Sequence, residues 1–164
     1  MKNLFFIFTL ILFVFSSCKR WQHKYPEDTE RTKLTPTERL TGKTWTLANT
    51  TFNGVDYTDS INNTIGHYEI YFSSTKEHSM YLGFIKTDIE GKFTIVWQFG
   101  FGDTGIGIVR QMGMQNYIAP APCYIKPLTS NNGNYIILKL SENEFKIKFT
   151  NTNQDTVIIN QFTR

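Results

Sequence analysis

Few residues in this chain combine the type and the spacing that chemistry at a site requires. Gly100-Phe101-Gly102-Asp103-Thr104-Gly105 fits the Gly-x-Gly-x-x-Gly string of dinucleotide sites, but such a site needs a helix directly after the loop to present amide groups to the pyrophosphate. Ile106-Gly107-Ile108-Val109 is not a helix start, so the string predicts a glycine-rich loop. His67, Glu69 and His78 are metal-ligand types, yet isolated residues of this kind are commonly structural. We expect no catalytic residue, no metal site and no cofactor, and therefore not an enzyme.

One reactive side chain, the thiol of Cys18, stands in an informative context. Lys2 is followed by an apolar run, residues 4–15, and then by Ser16 and Ser17 directly before the cysteine. A positive start, an apolar stretch too short to span a bilayer stably, and small residues at the end are the three parts of a secretory signal. Residues 1–17 are therefore predicted to be a signal peptide.

Phe15-Ser16-Ser17-Cys18 resembles the lipobox of bacterial lipoproteins. The resemblance implies cleavage before Cys18 and acylation of its thiol and of the new amino terminus by chains such as palmitate. Two or three acyl chains anchor a protein durably, whereas one does so only marginally. Surface-exposed lipoproteins of Bacteroidota carry acidic residues after this cysteine, but Lys19-Arg20-Trp21 follows here. The resemblance therefore implies a lipid anchor in the outer membrane that faces the periplasm, with the cell surface and an ordinary cleaved signal as alternatives.

Charge is distributed unevenly along the mature chain. Residues 19–43 hold seven basic and four acidic side chains, a net charge of +3, whereas residues 44–164 hold nine basic and ten acidic ones. A basic segment beside a membrane favours anionic head groups by about 1 kcal/mol per well-placed charge. Because the positive excess does not lie on the folded part, nucleic acid is excluded as a partner. A solvated linker whose charges have no partner is the alternative.

The sequence predicts two parts after the signal. Residues 18–41 are charged and carry two prolines, so they are predicted to be a flexible, extended tether. Within it, Thr35, Pro36 and Glu38 fit an N-cap, a first-turn proline and a capping-box acid, which predicts one helical turn that ends before Gly42. Residues 42–164 are then predicted to form the folded domain.

Side chains other than Cys18 offer weaker modification sites. Cys123 remains unpaired once Cys18 carries lipid, so it is predicted to be a packed small hydrophobe, with a disulfide between chains as the alternative. Asp59-Ser60-Ile61 and Asp155-Thr156-Val157 resemble O-glycosylation acceptors of Bacteroidota. The alternative for both is an aspartate that caps a turn.

Alternation of apolar and polar residues dominates the folded part and predicts an all-β fold. Hairpin-sized turns, such as Asn53-Gly54, separate the strands. Such a series predicts an antiparallel up-and-down meander, and closing it into a barrel of about eight strands removes its edges. Phe145, Ile147 and Phe149 are predicted to point inward because Lys146 and Lys148 alternate with them. The predicted strands cover residues 45–52, 68–72, 80–85, 93–99, 106–112, 135–140, 145–149 and 156–162.

Leu40-Thr41-Gly42-Lys43-Thr44-Trp45 resembles the first-strand entrance of lipocalin-type barrels, where a glycine shortly precedes a tryptophan that plugs the closed end. Here two residues separate Gly42 from Trp45, whereas the lipocalin spacing has one. Together with the lipobox, this segment makes the chain similar to small lipocalin-like lipoproteins of Bacteroidota. The resemblance implies that Trp45 closes the barrel and that Arg164, near the end of the last strand, packs on its indole.

Two functions follow from these expectations. The first is a membrane-anchored lipocalin-like barrel that binds a small apolar ligand or a partner in the cell envelope; 20 aromatic residues in the mature chain could line a cavity. The alternative is a structural or assembly lipoprotein of the outer membrane with a filled barrel. Its protein-binding rim would comprise the glycine-rich loop and the proline-rich segment, residues 119–127. Whether the interior is filled discriminates between the two.

Overall fold

The computed structural model of the chain describes residues 25–29, 32–89, 91–100, 102–110, 133–150 and 157–164. Two short helices occur in these ranges, α1 (Pro36–Leu40) and α2 (Thr58–Ile65). The strands are β1 (Thr44–Phe52), β2 (Val55–Asp56), β3 (Tyr68–Glu77), β4 (Met80–Thr87), β5 (Gly91–Gly100), β6 (Gly105–Arg110), β7 (Gly133–Leu140), β8 (Glu144–Thr150) and β9 (Val157–Thr163).

Eight of the strands close into an antiparallel barrel. From β3 to β9 each strand pairs with its neighbour in the chain, and β1 pairs with both β3 and β9. The two-residue β2 only extends the hairpin at the end of β1. The predicted all-β meander of about eight strands is confirmed. Closure pairs the strands that would otherwise be edges.

Strand β8 shows how alternation positions the core. Phe145 and Ile147 are fully buried, and Phe149 packs against the core with partial exposure, as predicted. Lys146 faces outward, where its ammonium lies 2.7 Å from a carboxylate oxygen of Glu27. Burying an unpaired charge would cost on the order of several kcal/mol. The two lysines of β8 therefore determine which face of the strand points outward.

Local signals also set the turns and helix ends. Asn53 and Gly54 have φ angles of 48° and 83°, the left-handed values that a two-residue hairpin turn requires. In α1 the Thr35 hydroxyl accepts from the Glu38 amide at 3.3 Å, and the Glu38 carboxylate accepts from the Thr35 amide at 2.6 Å. The predicted capping box is confirmed. Leu40, the last residue of α1, is fully buried under the barrel.

The barrel has two ends, which differ in what covers them. The closed end holds α1, the beginning of β1 and the turns that join β3 to β4, β5 to β6 and β7 to β8. The rim end holds the β1–β2 turn, α2, the β4–β5 turn and the strand ends at Arg110 and Gly133.

Candidate functional site

Trp45 plugs the closed end of the barrel. Its side chain is fully buried, and its Nε1 donates to the carbonyl oxygen of Leu40 at 2.9 Å. Phe145 lies against it with ring centroids 5.7 Å apart. Because Leu40 ends α1, this hydrogen bond ties the helix to the first strand and keeps the only polar atom of the indole satisfied.

The cation over the indole of Trp45 belongs to Lys43. Its Nζ lies 4.9 Å from the ring and donates to the carbonyl oxygen of Glu142 at 2.8 Å. Burial lowers the pKa of Lys43, and the charge of Arg164 lowers it further. Arg164 lies nearby: Thr46 pairs with Thr163, the last residue of β9, and the amide of Arg164, which follows it, donates to the Asn143 carbonyl at 3.2 Å. The packing of Arg164 on Trp45 stays a prediction.

A buried ion pair beside this plug holds the segment that precedes α1. Arg39 Nη1 lies 3.0 Å from Asp28 Oδ2, and the two side chains are only 4% and 2% exposed. Asp28 Oδ1 also accepts from the Leu140 amide at 2.8 Å, and Arg39 Nη1 donates to the Leu140 carbonyl. Both charged side chains thus reach the end of β7, where they form hydrogen bonds with the amide and the carbonyl of Leu140. We call Tyr25, Asp28 and Arg39 the clasp.

Tyr25 completes the clasp through its ring. The Arg39 guanidinium lies 5.3 Å from the ring centroid, and the tyrosine is 3% exposed. Its hydroxyl and the Nε of Arg39 have no hydrogen-bond partner among the described residues. Burial raises the pKa of Tyr25 far above its ordinary value, because the phenolate would lose its hydration.

The clasp lies within residues 18–41, the segment predicted to be a flexible tether with one helical turn. Residues 25–29 instead lie on the barrel, where the Glu27 amide donates to the Leu138 carbonyl at 2.8 Å. Proline and charge favoured an extended chain, but they did not reveal that Asp28 and Arg39 would neutralise each other against β7. The sequence signal was Tyr25 directly before Pro26, an aromatic residue in a mostly polar stretch.

Aromatic rings pack together in the barrel interior near the closed end. Phe145 contacts Trp45, Phe72 and Phe162, each with ring centroids 5.7 Å apart, and Phe72 contacts Trp97 at 5.3 Å. A side chain that lined a ligand-sized cavity would expose surface to it. The following large side chains are each less than 2% exposed: Trp45, Trp97, Phe72, Phe145, Phe162, Leu40, Ile70, Ile85, Ile95, Ile106, Ile108 and Ile137.

Within the part of the chain that the structure describes, the candidate metal ligands do not lie together. His67 precedes β3 at the rim end and lies 3.4 Å from Glu69, whereas His78 lies in the turn after β3 at the closed end. Among the described residues no cluster of three metal-ligand types occurs. Residues 102–104 form the β5–β6 turn and lead into a strand, so the glycine-rich string lacks the helix that a phosphate site requires.

One part of the predicted protein-binding rim is described by the structure. The glycine-rich turn, residues 102–104, lies at the closed end. The other part, the proline-rich segment, residues 119–127, lies outside the described residues. At the rim end the described residues instead expose Val55 (60%), Tyr57 (37%) and Ile89 (61%). Sequence reasoning missed these three because each stands in or beside a turn, outside any periodic pattern.

Several predicted positions lie outside the described residues: Cys18, Cys123, Thr156 and the segment 119–127. Ser60 is described and is exposed on α2. No helix within the described ranges has both the length and the apolar character needed to cross a bilayer. The chain matches no protein-family model and no curated protein. The class that the fold defines is therefore an eight-stranded antiparallel barrel, compatible with a lipocalin-like one.

Proposed function

We propose that this chain is a lipid-anchored protein of the bacterial cell envelope whose filled barrel holds a protein-binding rim away from its anchor. The observation that carries the proposal is the packed interior: twelve large side chains there are less than 2% exposed. A binding protein for small molecules keeps a concave site of about 300–1,000 Å³. A packed barrel can act as a rigid support, and its surface then carries the function.

The rim end supplies a surface of suitable composition. Val55, Tyr57 and Ile89 are large apolar residues that stay exposed there, in β2, directly after it and in the β4–β5 turn. Aromatic and aliphatic residues of this kind form the anchors of protein interfaces, whereas lysine and glutamate are depleted from interface centres. The rim end is therefore the part of the described surface where we expect a partner to bind.

A small apolar ligand is the second candidate, and the inward-facing phenylalanines near the rim end favour it. Phe93 and Phe149 face the interior there but remain partly exposed. Against this candidate, the buried Thr50 hydroxyl already donates to Asn160 at 3.0 Å, so this interior polar pair is not left free to orient a ligand. A ligand would have to occupy a shallow site at the rim end.

Native mass spectrometry of the protein extracted from its own membrane tests both candidates. A bound protein supports the proposal, whereas a retained small molecule with no protein supports the ligand. Ile89→Glu should remove the protein partner. Ile136→Glu is the matched control, because Ile136 is similarly exposed (53%) on the barrel wall. A partner retained by Ile89→Glu and lost from Ile136→Glu would contradict the rim assignment.

The anchor has its own test, motivated by the lipobox. Cys18→Ser removes the thiol to which the first acyl chains attach, so we expect an uncut precursor without lipid. Growth with labelled fatty acid followed by mass spectrometry measures both features. Label on the Cys18→Ser protein would show that the chain is not anchored in the proposed way.

A further inference from the structure

We propose that the closed end of the barrel is the membrane-facing surface, held against the lipid by the clasp and a short tether. This inference rests on the proposed anchor at Cys18 and deepens it by assigning which face the bilayer meets. The partner is the lipid surface itself. The inference is based on the docking of Tyr25 and Asp28 onto the end of β7. Tyr25 lies only seven residues after Cys18 in the chain.

The clasp determines where the tether leaves the barrel. Asp28 bonds to both Arg39 and the Leu140 amide, and the Glu27 amide bonds to the Leu138 carbonyl. The ion pair is almost completely buried. If residues 25–29 detached, the buried Arg39 guanidinium would lose its partner, so the ion pair holds this segment on the barrel. The effective tether therefore ends at Tyr25 and not at α1.

The length of that tether decides the orientation. Seven residues span at most about 25 Å when fully extended, and a flexible chain of that length spans about 15 Å on average. Strand β5 has ten residues; at about 3.3 Å per residue and a tilt of about 40°, its height is about 25 Å. The rim end would reach the membrane only with the tether stretched along the full barrel wall. The closed end reaches it with no stretching.

Charge at the closed end is compatible with anionic head groups. Three of the acidic residues there are paired with lysine or arginine: Glu27 with Lys146 at 2.7 Å, Glu144 with Lys139 at 2.6 Å, and Asp28 with Arg39 at 3.0 Å. Lys43 lies at this end with Glu142 and Arg164 close to it. Cations at this end favour its approach to an anionic surface.

The orientation explains how a lipid-anchored barrel could engage a partner. With the closed end on the bilayer, Val55 and Ile89 at the rim end lie one barrel height, about 25 Å, from the head groups. A partner then meets the exposed apolar turns without competing with lipid.

Energy transfer from the barrel to the membrane tests the orientation. The full-length acylated protein, extracted and reconstituted, would carry a donor dye on a single cysteine in a Cys123→Ser background, with an acceptor on the head groups of phosphatidylethanolamine–phosphatidylglycerol vesicles. The two sites are Asn143→Cys, in the β7–β8 turn of the closed end, and Ile89→Cys, in the rim turn. We expect clearly higher transfer from position 143. Equal transfer, or higher transfer from position 89, overturns the inference.

Variants of the tether separate its length from other causes. A flexible spacer of twelve residues inserted between Cys18 and Tyr25 leaves the clasp intact, and we expect it to reduce the difference between the two positions at least twofold. Asp28→Ala should act in the same direction, with Thr29→Ala, an exposed neighbour, as its matched control. If the spacer leaves the difference unchanged, tether length does not set the orientation. Mass spectrometry of the acyl groups comes first: a protein without lipid refutes the anchor, whereas an acylated protein with reversed transfer refutes only the orientation.

Discussion

Replacing Tyr25 by phenylalanine should stabilise this protein, although the residue is almost fully buried. The tyrosine hydroxyl is buried and has no hydrogen-bond partner among the described residues. Leaving such a group unsatisfied costs about 1–3 kcal/mol. Phenylalanine removes the hydroxyl but keeps the ring that packs beside the Arg39 guanidinium. We therefore expect the free energy of unfolding to rise by about 1–2 kcal/mol.

Alkaline pH should enlarge this difference. Burial raises the pKa of Tyr25 above its ordinary value of 10.0. Above that pH the unfolded chain loses the phenolic proton while the folded chain keeps it, so the folded state binds more protons and its stability falls as pH rises. Tyr25→Phe has no such group and escapes the loss, which is at most about 1.4 kcal/mol per pH unit.

Urea unfolding followed by tryptophan fluorescence measures both effects. At pH 7 the difference between the two proteins reports the unsatisfied hydroxyl alone. At about pH 10.5, above the ordinary pKa of tyrosine, the difference also includes ionisation of Tyr25 in the unfolded chain. Tyr25→Ala is the control: loss of a buried ring should cost about 3–5 kcal/mol. A Tyr25→Phe protein that is less stable than wild type would mean that the hydroxyl is satisfied after all. If both variants behave as wild type, residues 25–29 do not pack on the barrel and the clasp is refuted.

Three further changes probe the barrel itself. A double-mutant cycle between Trp45 and Lys43 should give a coupling of about 0.5–1 kcal/mol; the same cycle with Arg164 tests the predicted lipocalin-type contact, and additive effects there would reject it. Ile147→Ala should lower the free energy of unfolding by about 2–4 kcal/mol through loss of packing, and an unchanged denaturation midpoint would contradict its buried position. Gly54→Ala should cost about 1–2 kcal/mol because its φ of 83° is left-handed and no neighbour obstructs the added methyl; a neutral result would refute the hairpin turn.

Much of the barrel could be predicted from the sequence because its signals are local. Alternation within β8 depends on residues two apart, and the Asn53-Gly54 turn depends on two neighbours. The capping box of α1 spans four residues. Each of these patterns is read from a short stretch of chain, where steric preferences and side-chain period decide the outcome. The number of strands and their antiparallel order followed from them.

Only the tertiary structure showed how distant segments meet. Asp28 and Leu140 are 112 residues apart, and their contact depends on where β7 ends once the barrel has closed. Closure also determined which cation covers Trp45 and divided the turns between two ends of the barrel. No periodicity encodes such contacts, because they arise from the register of closed strands and from the mutual neutralisation of buried charges. The sequence alone predicted a barrel behind a lipobox-like signal, and the fold decided that residues 25–29 are held at the closed end, because their contacts depend on the position of the end of β7.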